Sequence, residues 1–250
     1  MLPLNRKMND ESLKRAITAT KVVLPPLLPL ETFGHSTIKY HIVSKPAYSE
    51  LTELAKGEDV VMREGVVYAE RPRVVTPYYM KRLEGFSDAA KRYFDEVIKR
   101  DGGNTPGIYY SYKNELKKTN IINGSFDTVL HNITEHVKTS GEQRSTVIVG
   151  IDEYWDTSLL KFIYELTMNS LGPNVMQMGQ QGLLNVDRQG VPADARMRIE
   201  KLFAGLATDE SDLNEIRDEL ERWGLFCEYQ DRFFALVKHG KKALGDNFVK

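Results

Sequence analysis

Three acids, Asp152, Glu153 and Asp156, follow the apolar run 147–151 in the segment STVIVGIDEYWD. Carboxylates at the end of an apolar strand are how an ATPase holds its metal and nucleotide. That chemistry also needs a glycine-rich phosphate cradle ending in Lys-Ser or Lys-Thr. The chain has no GxxxxGK[ST]; its nearest approaches are GGNTPG, which has no lysine, and GKKALG. An acidic strand end alone holds no nucleotide. The competing placement puts the same three acids on the wet face of a helix, and their offsets from the neighbouring apolar residues favour it.

Histidine is the second source of chemistry. The five are His35, His41, His131, His136 and His239. A zinc-binding helix needs two at i, i+4 with a general base between them. His131 and His136 are five apart, about 140° around a helix, so they do not share one ion. His35 and His41 flank a strand, and are the metal-ligand candidates should acids from elsewhere reach them. With Asp152, Glu153 and Asp156 as catalytic candidates they would make a metal-assisted hydrolase assembled from distant segments. Each also reads as an ordinary structural histidine.

Covalent catalysis has less support. There is no GxSxG elbow and no SxxK. Ser125 follows a glycine, but it is better explained as a helix N-cap. Cys227 has no basic neighbour or helix start that would lower its pKa, so it reads as an inert thiol. No cofactor is expected.

Elements must position these residues. In 145–170 the apolar residues Val147, Ile151, Trp155, Leu159, Phe162, Ile163 and Leu166 recur at helical steps. The spacing predicts one helix over about 145–170, ~37 Å long, as a central post. A small mixed or antiparallel sheet from 37–75 and 107–113 is expected to pack on it. TIKYHIV alternates as a strand; VVMREGVVYAE reads as a hairpin turning at Glu64-Gly65. AYSELTELAKG reads as a short helix. Thr76-Pro77, Ser87 and Ser125 mark further helix starts.

The fold class is therefore α+β, in four stretches. Residues 1–30 form an N-terminal arm and a proline-rich strap, VLPPLLPLE, laid on a surface or offered to a proline-binding module. Residues 31–172 form the α+β core. Residues 173–191, rich in glycine, form a loop or linker. Residues 192–250 form a helical subdomain, in which 225–237 fits either strand or helix.

Composition narrows the partners. Of 250 residues, 34 are Lys or Arg and 35 Asp or Glu, a net charge of -1, so no global basic field attracts nucleic acid or an anionic membrane. The tail has the outline of a winged helix, but its second helix carries Asp212, Glu215, Asp218, Glu219 and Glu221 against Arg217 and Arg222. Phosphates would repel it. The tyrosines and lysines of IYYSYKNELKK could stack on single strands, yet a two-sided strand explains them equally. Nucleic acid is not an expected partner. The longest apolar run, Val22 to Leu30, holds three prolines and is too short for a membrane helix. A single cysteine excludes an internal disulfide and suits a reducing compartment. The expectation is a soluble, cytoplasmic, non-enzymatic module that binds a protein partner or itself; the alternative is the metal-assisted hydrolase above.

Overall fold

Ser145–Val149 is a strand, and the long helix starts only at Trp155 and runs to Gln180. This corrects the post helix expected over 145–170. A strand buried on both faces carries no polar–apolar alternation, so its sequence imitates one side of a helix. Here every residue from Ser145 to Ile148 is buried, and Val147 and Ile148 serve opposite faces of a sheet. The computed structural model describes residues 10–47, 59–83, 87–205 and 210–245. The helix expected in 47–57 lies outside them beyond Ala47.

The chain divides into two compact units. The first comprises residues 1–72 and 110–174, the second 73–109 and 175–250. The α+β fold class is realised. In the first unit α1 (Asp10–Ala19) precedes β1 (Lys21–Leu24), β2 (Ser36–Ser44) and β3 (Asp59–Ala69). Then come β6 (Tyr112–Asn123), α4 (Phe126–Thr139), β7 (Ser145–Val149) and, as far as Asn174, α5 (Trp155–Gln180); the intervening β4 (Arg73–Val75), α2 (Pro77–Lys81), α3 (Asp88–Asp101) and β5 (Gly107–Tyr109) belong to the second unit.

The five-stranded sheet has the order β1-β7-β2-β3-β6. β2 and β7 run parallel, His41 opposite Val147; all other pairs are antiparallel. On one face Ile38, Tyr40, Ile42 and Ile148 pack on Leu159, Phe162, Ile163 and Leu166 of α5. On the other, Val43, Val60 and Val147 pack on Val129 and Val137 of α4.

Residues 59–69 do not turn back at Glu64-Gly65. They form one strand, and the partner strand over 112–123 bulges opposite Glu64-Gly65, where Lys117 is the extra residue. Gly65 is present for close approach rather than for a turn: a Cβ would lie 2.2 Å from Tyr40 Oη and 2.7 Å from the Glu115 carbonyl. The strap is only partly covered. Leu30 is buried among the α5-side residues, while Leu27 is 79% exposed.

Helix α5 continues past Gly172-Pro173, where a loop over 173–191 was expected. The buried Asn174 side chain accepts from Thr32 Oγ1 (2.8 Å) and donates to Tyr110 Oη (3.0 Å). These anchors offset the ~3 kcal/mol that an interior proline costs.

In the second unit β4 and β5 form a two-stranded ladder. With α2 and α3 they join α6 (Ala193–Gly205), α7 (Glu210–Trp223) and α8 (Phe226–Gly245). Residues 226–245 are helix, so the winged-helix outline has no wing. Tyr79, Ile199, Phe203, Ile216, Leu220 and Trp223 belong to one core. Thr76 and Ser125 do cap α2 and α4, accepting from Tyr79 N and Thr128 N.

Candidate functional site

Asp152 lies one turn beyond the carboxyl end of β7, in the 3-10 turn Asp152–Tyr154. The parallel pair β2–β7 ends here, and the ends of parallel strands are where α/β sheets commonly place ligands. Asp152, however, is fully engaged. Its Oδ1 accepts from Arg63 Nη1 at 2.5 Å and from Ser44 Oγ at 3.3 Å, and its Oδ2 from Ala47 N at 3.2 Å. The two charged side chains are only 15% and 16% exposed. The Arg63 guanidinium also lies over the Trp155 ring, 5.6 Å from its centroid. One carboxylate thus ties together β3, the end of β2 and the start of α5.

The reading that kept all three acids wet fails for Asp152. It holds for Glu153 and Asp156, which are exposed. Asp156 sits in the first turn of α5, where its negative charge suits the helix dipole, and its Oδ1 accepts from Thr157 N (2.8 Å).

His35 is exposed just before β2. His41 is on the α4 side of β2, and its buried Nδ1 has no hydrogen-bond partner. Burial pulls its pKa below the ordinary value. The charges of Glu64 and Glu142 and the nearby Thr146 backbone pull it up, and His136 pulls it further down. His41 is thus on the α4 face, while Asp152 answers Arg63, which pairs with Ile42 on the α5 face. Among the described residues no three His, Cys, Asp or Glu side chains come together to hold a metal ion.

Two features escaped sequence reasoning. The first is the Arg63 and Ser44 partnership with Asp152, across 89 and 108 residues. The second is the outward face of α5. Leu160, Tyr164 and Met168 are 67%, 65% and 50% exposed, and Leu171 is half-buried in the same row. Their steps of four, four and three put them on the side opposite Leu159, Phe162, Ile163 and Leu166. The helix is therefore apolar on both sides, and Lys161 and Glu165, paired at 3.6 Å, sit along one margin of the row. That spacing was visible in the sequence; what hid it was the more obvious inward row. The proline strap lies beside the flank of the helix, where Pro25, Pro26, Pro29, Phe162 and Leu166 line a cleft of about 210 Å³.

No protein-family model, curated protein or solved structure matches the chain. No described helix is long and apolar enough to cross a membrane.

Proposed function

We propose that this chain is a self-associating interaction module, whose first unit pairs with a second copy through the outward face of α5. The observation that carries the reading is the exposed row Leu160, Tyr164, Met168 and Leu171. A helix on a protein surface ordinarily turns charge outward, whereas one apolar all round is ordinarily covered.

The row is self-complementary. In an antiparallel pair about a twofold axis near residue 166, Leu160 meets the partner's Leu171 and Tyr164 meets the partner's Met168. Every contact is then made twice, as an isologous interface requires. A thioether against an aromatic ring adds a favourable contact. The row exposes on the order of 400 Å² of apolar surface, the size of the largest patch on an ordinary monomer, which is often functional. Two copies would bury roughly 800 Å² plus their polar margins, near the ~1,000 Å² that marks the smallest specific interfaces. A weak, concentration-dependent dimer is the expected form.

Less supports the metal-assisted hydrolase: His41 and the Arg63 that holds Asp152 lie on opposite faces of the sheet. Sedimentation velocity over a range of concentrations tests the proposal. The wild type should pass from one chain mass towards two as concentration rises. Tyr164→Glu with Met168→Glu should stay at one chain mass with an unchanged circular-dichroism spectrum. A wild type that stays monomeric at several hundred micromolar, or a double variant that dimerises equally, overturns it.

A further inference from the structure

In the second unit α2, α3 and α7 border an open cleft of about 560 Å³. That volume lies within the roughly 300–1,000 Å³ of small-molecule sites. Its cations are Lys81 and Arg82 at the end of α2, Lys91 in α3 and Arg222 in α7. Two carboxylates, Asp218 and Glu221, stand on the α7 wall, and α2 adds the ring of Tyr78.

Side chains brace the walls. Lys81 Nζ pairs with Asp95 Oδ1 (2.5 Å), which ties α2 to α3. Arg82 Nη1 donates to the Arg222 carbonyl (3.2 Å), which ties α2 to α7, and it lies against Gly224, where a Cβ would come within 2.6 Å of it. Each bond leaves most of the donors of that cation available. Lys91 is half-buried and has no ion pair or side-chain hydrogen bond with another described residue. The Tyr78 ring is seated on Gly103: a Cβ there would lie 2.1 Å from Tyr78 Cε2. One side of the ring thus rests on backbone, while the residue stays 46% exposed. Asp218 is paired with Arg217 (2.8 Å), and Glu221 is exposed.

We propose that this cleft binds a purine mononucleotide. The phosphate takes charge-assisted hydrogen bonds from Lys91 and Arg82. The base stacks on the seated Tyr78 ring, and Glu221 accepts from the ribose hydroxyls. Each part of the ligand answers a different part of the wall. Inorganic phosphate would meet the two carboxylates and leave the tyrosine unused. A nucleic-acid strand would carry further phosphates along α7, against its acids. The cations reach the phosphate as side chains, so the missing GxxxxGK[ST] cradle is not needed. The site is independent of the α5 row, which lies in the first unit.

Equilibrium dialysis of radiolabelled AMP and GMP against the full chain tests this, with ribose 5-phosphate and adenosine as partial ligands that displace them. Both nucleotides should bind saturably, one per chain, with Kd below about 1 mM. Ribose 5-phosphate, which lacks the base, should bind at least about fivefold more weakly than AMP. Adenosine, which lacks the phosphate, should bind at least about tenfold more weakly. Tyr78→Leu should weaken AMP at least about fivefold and leave ribose 5-phosphate unchanged. Lys91→Gln should weaken AMP at least about fivefold and leave adenosine unchanged. A misfolded variant would lose both ligands of each pair. No saturable binding of either nucleotide up to about 1 mM, partial ligands that bind as tightly as AMP, or a Tyr78→Leu variant that weakens AMP and ribose 5-phosphate alike overturns the proposal.

Discussion

Replacing Asp152 by alanine should destabilise the first unit by about 3 kcal/mol. The substitution removes the acceptor of three hydrogen bonds, from Arg63, Ser44 and the Ala47 amide. Hydrogen bonds to a charged group are worth about 1.5–3 kcal/mol, and a buried pair that loses one partner costs about 3–5 kcal/mol. The lower end applies, because Arg63 is 15% exposed and keeps its place over Trp155, an interaction worth ~1 kcal/mol. Trp155 lies in the first unit and Trp223, the other tryptophan, in the second. In a Trp223→Phe background the fluorescence of Trp155 therefore reports the first unit by itself. With a urea slope of about 2 kcal/mol/M, the midpoint should fall by about 1.5 M. Asp152→Leu with Arg63→Met should recover most of the loss, since no unpaired charge is left behind. The sign is diagnostic. Removing a carboxylate kept for catalysis commonly raises stability, because active sites are strained. A midpoint that rises, or moves by less than about 0.25 M on a slope of about 2 kcal/mol/M, would refute the clamp and return Asp152 to the catalytic candidates.

Further outcomes follow from other buried groups. His41 is held below its ordinary pKa of 6.5 by burial. Between its folded and unfolded values the unfolded chain binds the additional proton, so stability should be full above pH ~6.5 and decline as pH falls below it; urea midpoints at stepped pH should show this, and His41→Gln should flatten the decline. In the second unit Glu219, 3% exposed, is ion-paired with Arg198 and accepts from Trp223 Nε1 (2.8 Å) and Tyr79 Oη (3.2 Å). Glu219→Ala should cost about 3–5 kcal/mol by Trp223 fluorescence, and much less when Arg198→Met accompanies it. Gly65→Ala should cost about 2–3 kcal/mol through overpacking against Tyr40, a loss that Tyr40→Phe, which removes the nearest atom, should reduce.

How much of this was legible beforehand varied with the range of the interaction. Helix starts at Thr76-Pro77 and Ser125 were readable because a cap acts within three residues. Asp152 stood out as a catalytic candidate, but its partner did not, since no spacing rule joins positions 89 residues apart. The same holds for Gly65: a glycine beside a glutamate looks like a turn until Tyr40 is seen pressing on it from the neighbouring strand.

The chain by itself determined the α+β class, the local helix starts, the alternating strand of β2 and the want of any contiguous catalytic signature, all of which follow from periodicity, capping and composition over a few residues. The tertiary structure alone decided whether Ser145–Val149 would be strand or helix, how far α5 would run past Pro173, and which acid would be drawn out of water. Those outcomes depend on partners distant along the polypeptide. A parallel neighbour supplies the hydrogen bonds of β7, Thr32 and Tyr110 hold Asn174 in its helix, and Arg63 lends the charge that lets Asp152 be buried. None of these energies can be read from the residues on either side.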